Sequence, residues 1–187
     1  QNTYLIYTKG RPKVPPALPG DNWLLVPLGF GKLWRDLGFI FAPRADIYLF
    51  VMPVLPIFCR LKNTITITHD FPYHYVKSDN LRQRMAAFFL HFLHRYSLRR
   101  ADRIVAISKY TRNEDIKLFG ADPEKISVIY NGYRNVCQTP PADLKIAYPY
   151  FLTVGAVKER KNTLRIVQAF GEFKKKNTSP HKLIVVG

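Results

Sequence analysis

A histidine and an aspartate stand at the end of a strand-like run near the middle of the chain. Thr68, His69 and Asp70 close the run TITITHD, in which every residue before His69 is β-branched. Polar groups at the carboxyl end of a strand form a candidate ligand site, because open α/β sheets bind ligands beyond these strand ends. The structural alternative, a histidine that only satisfies its own hydrogen bonds, is the commoner case for a single residue. Both interpretations stay open on these residues alone.

A second stretch, VGAVKERKN, places cations between a strand-like run and a helical pattern. Gly155 has no side chain and lets a ligand come close to the backbone. Arg160 and Lys161 stand just before the first residue of the helical pattern, and both paired cations and helix starts favour anions. The stretch therefore predicts a turn that binds an anion, with an ordinary solvated turn as the alternative.

Strand-like and helical patterns alternate along the chain and would position both stretches. The predicted strands are TYLIYT, NWLLVPL, ADIYLFVM, NTITITHD, DRIVAIS, DPEKISVIYNG, YPYFLTVG and HKLIVVG. Helices are predicted over 79–100, over KYTRNEDIKLF before Gly120, and over NTLRIVQAFGEFKKKN. This alternation predicts an α/β fold with Rossmann-like parallel sheets. Ligands of such sheets bind beyond the carboxyl ends of the strands, where both stretches lie.

A proline-containing stretch without a clear period, QTPPADLKIAYP, is predicted to link two domains. The first domain with this linker is expected over 1–145. The second, over 146–187, would hold one strand, helix and strand unit. Because two strands and one helix can hardly bury both faces of a sheet, we expect a sequence that is cut short or completed by another segment.

The composition restricts the classes of partner. Among 187 residues, 29 Lys and Arg oppose 13 Asp and Glu, so the net charge is +16. Such a charge favours nucleic acid, an anionic membrane surface or phosphorylated small molecules. No nucleic-acid-binding motif is recognisable, which makes nucleic acid an unlikely partner. The two cysteines match no metal spacing, and neither a spanning helix nor a secretion signal is visible, so we expect a cytoplasmic protein.

The helix predicted over 79–100 combines an apolar stripe with arginines. We expect the stripe to cover the sheet; its residues are Leu81, Met85, Phe88, Phe92 and Tyr96. Four arginines would then lie on the outer face, where lipid phosphates could meet them; they are Arg82, Arg84, Arg95 and Arg99. The helix thus predicts peripheral attachment to an anionic membrane surface.

The order of these motifs resembles the retaining glycosyltransferases of family 4, which include many bacterial mannosyl- and other sugar transferases. The resemblance extends from about residue 45 onward through ITITHDFPY, SLRRADRIVAISKYTRNEDIKLFGADPEKISVIYNGY, YFLTVGAVKERKNTLRIVQAFGEF and KLIVVG. It implies the GT-B architecture, two Rossmann-like domains facing each other across a cleft. The amino-terminal domain would bind the acceptor, and the carboxyl-terminal domain a nucleotide-diphosphate sugar.

The resemblance also implies roles for single residues. His69 matches the family's active-site histidine near the transferred sugar, and Asp70 follows it as in the common HD version. Arg160 and Lys161 match the pair that holds the donor diphosphate, so that no metal is expected. Retention would follow a front-face substitution without a protein nucleophile. The acceptor hydroxyl could be lipid-linked or belong to a cell-surface polysaccharide, at the inner face of the membrane.

Three features depart from the family pattern. The glycine-rich loop with its strand is not found before TYLIYT, and the family's glutamate motif would lie beyond Gly187. Ala156 stands where some relatives carry a further arginine. The sequence therefore predicts a partial GT-B enzyme, truncated at both ends. The alternatives are a noncatalytic basic module that binds a membrane surface or nucleic acid, and a fragment that associates with itself or with a complementing segment.

Overall fold

The protein is α/β with parallel sheets throughout the residues that the computed structural model describes, which are 2–14, 16–75, 80–133, 146–158 and 161–187. This confirms the predicted fold class. The chain divides into two compact units, Gln1–Gly132 and Tyr133–Gly187. The predicted boundary after residue 145 adjoins the stretch 134–145, which lies outside the described residues.

The first unit begins with a two-stranded sheet and a short helix. Its elements are β1 (Tyr4–Lys9), β2 (Trp23–Leu28), a 3₁₀ turn at Gly31–Leu33, and α1 (Trp34–Phe41). β1 and β2 pair in parallel, and Leu28 and Phe39 are buried between the sheet and α1 together with Tyr48. Apolar strand residues thus bury one face against the helix that follows them.

A four-stranded sheet forms the rest of the unit, with its strands side by side in chain order. The strands are β3 (Tyr48–Phe50), β4 (Thr64–Thr68), β5 (Arg103–Ala106) and β6 (Ile126–Val128). The helices are α2 (Leu81–Arg100) and α3 (Lys109–Phe119), with 3₁₀ turns at Pro72–His74 and Pro123–Lys125. The core includes Leu98, Ile104 and Phe119, none of which has exposed surface.

β4 buries three threonines instead of apolar residues. Thr64, Thr66 and Thr68 are all buried, and each hydroxyl has a partner from another part of the chain. Thr64 donates to Asp102 over 2.9 Å, and Thr66 to the carbonyl of Met52 over 3.2 Å. Buried hydroxyls need such partners because an unpaired one costs about 1 to 3 kcal/mol.

Local signals set the start of α2 and both ends of α3. Asn80 accepts a hydrogen bond from the backbone N–H of Arg82 and begins α2, and Ser108 accepts one from that of Thr111 and begins α3. Gly120 ends α3 with a φ of 64°, a left-handed conformation that glycine adopts without strain. The predicted end of this helix at Gly120 is confirmed.

The face of α2 that covers the sheet differs from the predicted one. The buried residues are Leu93, His94, Ser97 and Leu98. Four of the five residues of the predicted stripe are exposed; they are Leu81, Met85, Phe88 and Phe92. The expectation that this stripe covers the sheet is therefore wrong. The true face includes two buried polar residues. Ser97 accepts from the N–H of Leu55 over 2.8 Å, and Nδ1 of His94 contacts the hydroxyl of Tyr73, while its Nε2 has no partner among the described residues.

The second unit has the predicted strand, helix and strand. β7 (Tyr150–Val154) and β8 (Lys182–Val186) pair in parallel, and α4 (Thr163–Lys176) connects them. Phe151 on β7 packs against Phe170 and Phe173 of α4 and against His181. Phe151 keeps 48% of its surface exposed, so burial in this unit is shallower than in the first.

Candidate active site at the carboxyl end of the central strand

His69 and Asp70 directly follow β4, at the carboxyl edge of the four-stranded sheet, and both are exposed. The Nε2 atom of His69 lies 3.2 Å from the carbonyl oxygen of Val51. A carbonyl only accepts hydrogen bonds, so this contact places the ring proton of the neutral imidazole on Nε2. The Nδ1 atom then keeps its lone pair, with which it can accept a hydrogen bond or a proton from a ligand.

A buried carboxyl group lies behind the strand end that carries His69. Asp115 of α3 has no exposed surface, and its Oδ2 accepts a hydrogen bond of 2.7 Å from the hydroxyl of Thr68. Burial raises the pKa of Asp115 to about 7, although the bond from Thr68 acts in the opposite direction. Its Oδ1 has no hydrogen-bond partner among the described residues. No local pattern in the sequence indicates this contact, because its partners are 47 positions apart.

A second carboxylate, Glu114, lies beside Asp115 and is 7% exposed. It accepts a hydrogen bond from the hydroxyl of Tyr75, and the hydroxyl of Tyr110 lies 3.3 Å from that of Tyr75. The bond to Glu114 raises the pKa of Tyr75, so that its phenol stays neutral at physiological pH. These contacts attach the segment after Asp70 to α3.

Three histidines and several aromatic rings attach the same segment to α2. His74 and His91 approach within 3.1 Å through Nε2 and Nδ1, and the hydroxyl of Tyr73 lies 2.8 Å from Nδ1 of His94. The ring of Phe119 packs against all three histidines. Burial lowers the pKa of His94 to about 4, and it also lowers the pKa of His74. The cluster therefore contains a neutral, buried imidazole close to the candidate site.

The predicted anion-binding turn lies in the second unit, after β7. Gly155 has a φ of 145°, which L residues rarely adopt, and a Cβ atom added there would meet nothing within 4 Å. Its N–H donates to the carbonyl of Val186 over 2.7 Å, which holds the turn to β8. Lys161 is exposed just before α4, whose cap residue Asn162 makes no side-chain capping bond. Arg160 lies outside the described residues.

The arginines of α2 differ in exposure. Arg82, Arg84 and Arg99 are exposed, whereas Arg95 is half-buried. A shallow groove of about 350 Å³ runs along the carboxyl-terminal half of the helix. It is lined by Phe92, Arg95, Tyr96, Arg99 and Arg100. In the amino-terminal half, Leu81 and Phe88 are more than 70% exposed, so apolar and cationic groups share one accessible surface.

Within the described ranges, no three histidine, cysteine, aspartate or glutamate residues come together in a way that could hold a metal ion. The same part of the chain contains no helix that is both long and apolar enough to span a bilayer.

Comparison with known proteins places the first unit in a family. The model of a family described as Glycosyltransferase Family 4 matches residues 6–134. The O-antigen chain mannosyltransferase RfbU of Salmonella typhimurium is 31% identical over 127 residues, which cover 67% of this chain and 33% of that protein. The chain thus spans about a third of the length of this curated relative. The family match includes His69, Asp70 and Asp115, whereas Gly155 and Lys161 lie beyond it.

Proposed function

The chain belongs to glycosyltransferase family 4, and on that premise we propose that it transfers a sugar from a nucleotide-diphosphate sugar to a hydroxyl acceptor with retention of configuration. In this proposal the first unit is most of the acceptor-side domain of a GT-B enzyme, and the second begins the donor-side domain. The observation that carries it is the exposed His69 at the carboxyl edge of β4, within the family match. Ligands of parallel α/β sheets bind at this edge.

His69 would contact the sugar being transferred. With Nε2 donating to the carbonyl of Val51, its Nδ1 can accept a hydrogen bond from a sugar hydroxyl. A bond that shortens as positive charge develops on the sugar ring stabilises the transition state more than the ground state. Asp70, the next residue and also exposed, adds negative charge near that ring.

Gly155, Arg160 and Lys161 would hold the donor diphosphate. Negative charge accumulates on the diphosphate as the bond between sugar and phosphate breaks, and fixed cations stabilise that charge. In the front-face substitution we propose, the acceptor hydroxyl forms the new glycosidic bond while the leaving phosphate takes its proton. The two cations would replace a metal ion in this role. The exposure of Lys161 and the open space at Gly155 support this assignment.

The acceptor in this proposal is lipid-linked or a growing polysaccharide, at the inner face of the membrane. Arg82, Arg84, Arg95 and Arg99 would contact anionic lipid, with about 1 kcal/mol from each nearby cation. The exposed apolar residues of the amino-terminal half of α2 support the assignment because they lie on the same helix as these cations. The name of the mannosyltransferase relative suggests mannose as the first donor sugar to test.

Calorimetric titration of the chain with a nucleoside diphosphate and with its mannose conjugate tests the donor assignment. Replacement of Arg160 or Lys161 by alanine should weaken binding about tenfold or more, because hydrogen bonds to charged groups contribute about 1.5 to 3 kcal/mol. Lys158→Ala is the matched control, since Lys158 is an exposed lysine of the same turn and should leave the affinity within twofold. Equal affinity in all four proteins would refute the diphosphate assignment.

The net charge of +16 supports one other function, a noncatalytic basic module that binds a membrane or nucleic acid. The same titration separates the two, because a basic module would bind a nucleoside diphosphate no better than inorganic phosphate. Equal and strongly salt-dependent binding of both would favour the module. The proposed partners also include a second copy of the chain or a complementing segment, which the mass of the purified chain in solution would detect.

A further inference from the structure

Asp115 has a structural arrangement that packing alone does not explain. Its side chain is completely buried, with one oxygen bonded to the hydroxyl of Thr68 and the other without a partner among the described residues. We propose that Asp115 is a positioning residue for His69, acting through Thr68. The proposal rests on the proposed function only in that it takes His69 as the group that meets the substrate.

The path from Asp115 to His69 is short. Thr68 is the last residue of β4, and its hydroxyl donates to Asp115 over 2.7 Å with the carbonyl of Val105 at 3.4 Å. The carbonyl of Thr68 accepts from the N–H of Ile107 over 3.3 Å. Side chain and backbone of Thr68 are thus both held by the elements next to β4. His69 follows immediately, so the direction in which its imidazole leaves the strand depends on how Thr68 is held.

The cost of burying a carboxyl group supports a role beyond packing. Ile116, Leu118 and Phe119 of α3 contribute apolar side chains to the core, whereas Asp115 is buried beside a second carboxyl group, that of Glu114. An apolar residue in place of Asp115 would avoid the desolvation of a carboxyl group with an unpartnered oxygen. Burial raises its pKa, with Glu114 acting in the same direction, and this favours the neutral acid, which can also donate to the Thr68 hydroxyl. A carboxyl group therefore stays bonded to Thr68 in either protonation state.

The alternative is that the contact between Thr68 and Asp115 only stabilises the fold. The two possibilities differ in what they predict for His69. If the contact is only structural, its removal lowers the stability of the first unit and leaves the imidazole of His69 unchanged. If the contact positions His69, its removal changes the tautomer of the imidazole even in a variant that remains fully folded.

Nuclear magnetic resonance of the histidine side chains in the complete chain tests this without any requirement for activity. The chain has five histidines, and His181 in the second unit serves as the internal reference. In the unmodified chain and in Asp115→Asn, which keeps an acceptor oxygen of the same shape, we expect His69 protonated on Nε2. In Asp115→Ala and Thr68→Val we expect a mixture of tautomers, with the resonances of His181 unchanged. Thr68→Val keeps the volume of Thr68, so it remains informative if Asp115→Ala does not fold.

Sugar transfer provides a second readout. Asp115→Ala and Thr68→Val should lower kcat by on the order of ten to a hundredfold, with KM for the donor within twofold, and Asp115→Asn should restore turnover. Unchanged His69 resonances in folded Thr68→Val or Asp115→Ala would overturn the proposal, whatever the activity. If the resonances change but neither the unmodified chain nor its variants transfer sugar, the positioning role holds and the proposed function fails.

Discussion

The turn after β4 and the turn after β7 both end a parallel strand and both carry predicted ligand residues, but they are supported in different ways. Behind His69, the completely buried side chains of Thr68 and Asp115 are bonded to each other. In the second turn, Lys158 and Lys161 are exposed, and Gly155 provides open space. The difference matches the two kinds of chemistry that we propose for these turns. A histidine that must meet one atom of a substrate needs a fixed direction, whereas an anion needs accessible charge.

The largest expected effect comes from removing an apolar side chain behind the first turn. Phe119→Ala should destabilise the first unit by about 3 to 5 kcal/mol, because the ring has no exposed surface and packs against Phe71 and all three clustered histidines. Both tryptophans, Trp23 and Trp34, lie in the first unit, so their fluorescence during urea unfolding reports its stability.

Phe151→Ala is the matched change in the second unit, where the ring is 48% exposed. Followed through the magnetic resonance of His181 during urea unfolding, it should destabilise the second unit by less than about 3 kcal/mol, because nearly half of the ring already contacts solvent. Equal losses of unfolding free energy in the two variants would contradict our interpretation that a more deeply buried core supports the first turn than the second.

A smaller effect should appear as opposite pH dependences of stability. His94 has an ordinary pKa of 6.5 and a pKa of about 4 in the folded protein, so its contribution is complete above pH 6.5 and is lost as pH falls toward 4. Asp115 has an ordinary pKa of 3.8 and a folded pKa of about 7, so its contribution is complete below pH 3.8 and is lost as pH rises toward 7. Between pH 4 and 6.5 the two slopes should nearly cancel.

Two variants separate these slopes. Asp115→Asn leaves the histidine, and its stability should rise by about 3 kcal/mol relative to that of the unmodified chain from pH 4 to 6.5. His94→Gln leaves the carboxyl group, and its relative stability should fall by a similar amount. Urea unfolding at pH 4.5, 5.5 and 6.5 gives both values. Lys161→Ala, in the exposed turn, should follow the unmodified chain. Parallel curves for all four proteins would exclude Asp115 and His94 as the cause of the pH dependence.

The sequence predicted the elements that carry the two turns better than it predicted what lies behind them. Alternating patterns located β4, α3 and α4, and Gly120 located the end of α3, because these are local signals. The bond from Thr68 to Asp115 joins residues 47 positions apart, and no local period indicates it. The buried face of α2 was missed for the same reason. His94 and Ser97 read as polar positions, but Tyr73 and Leu55 provide their partners.

The smallest effect concerns the exposed cations of α2, which extend the comparison to a third surface. If accessible charge alone determines binding at this helix, replacing both Arg82 and Arg84 by glutamine should weaken the affinity for vesicles of anionic phospholipid about thirtyfold, as measured by flotation. Each cation contributes about 1 kcal/mol. Neutral vesicles should bind all variants equally weakly. Lys117→Gln, an exposed cation of α3, is the control. Equal binding of the unmodified chain to anionic and neutral vesicles would refute an electrostatic contact.

The most direct test compares the two turns in one reaction, the release of nucleoside diphosphate from a nucleotide-diphosphate mannose in the presence of a hydroxyl acceptor. His69→Ala should lower turnover on the order of a hundredfold and leave the dissociation constant of the donor within twofold. Lys161→Ala should instead weaken donor binding about tenfold or more. Unchanged turnover in His69→Ala, or a loss of donor affinity equal to that of Lys161→Ala, would contradict the assignment of catalysis to the turn after β4.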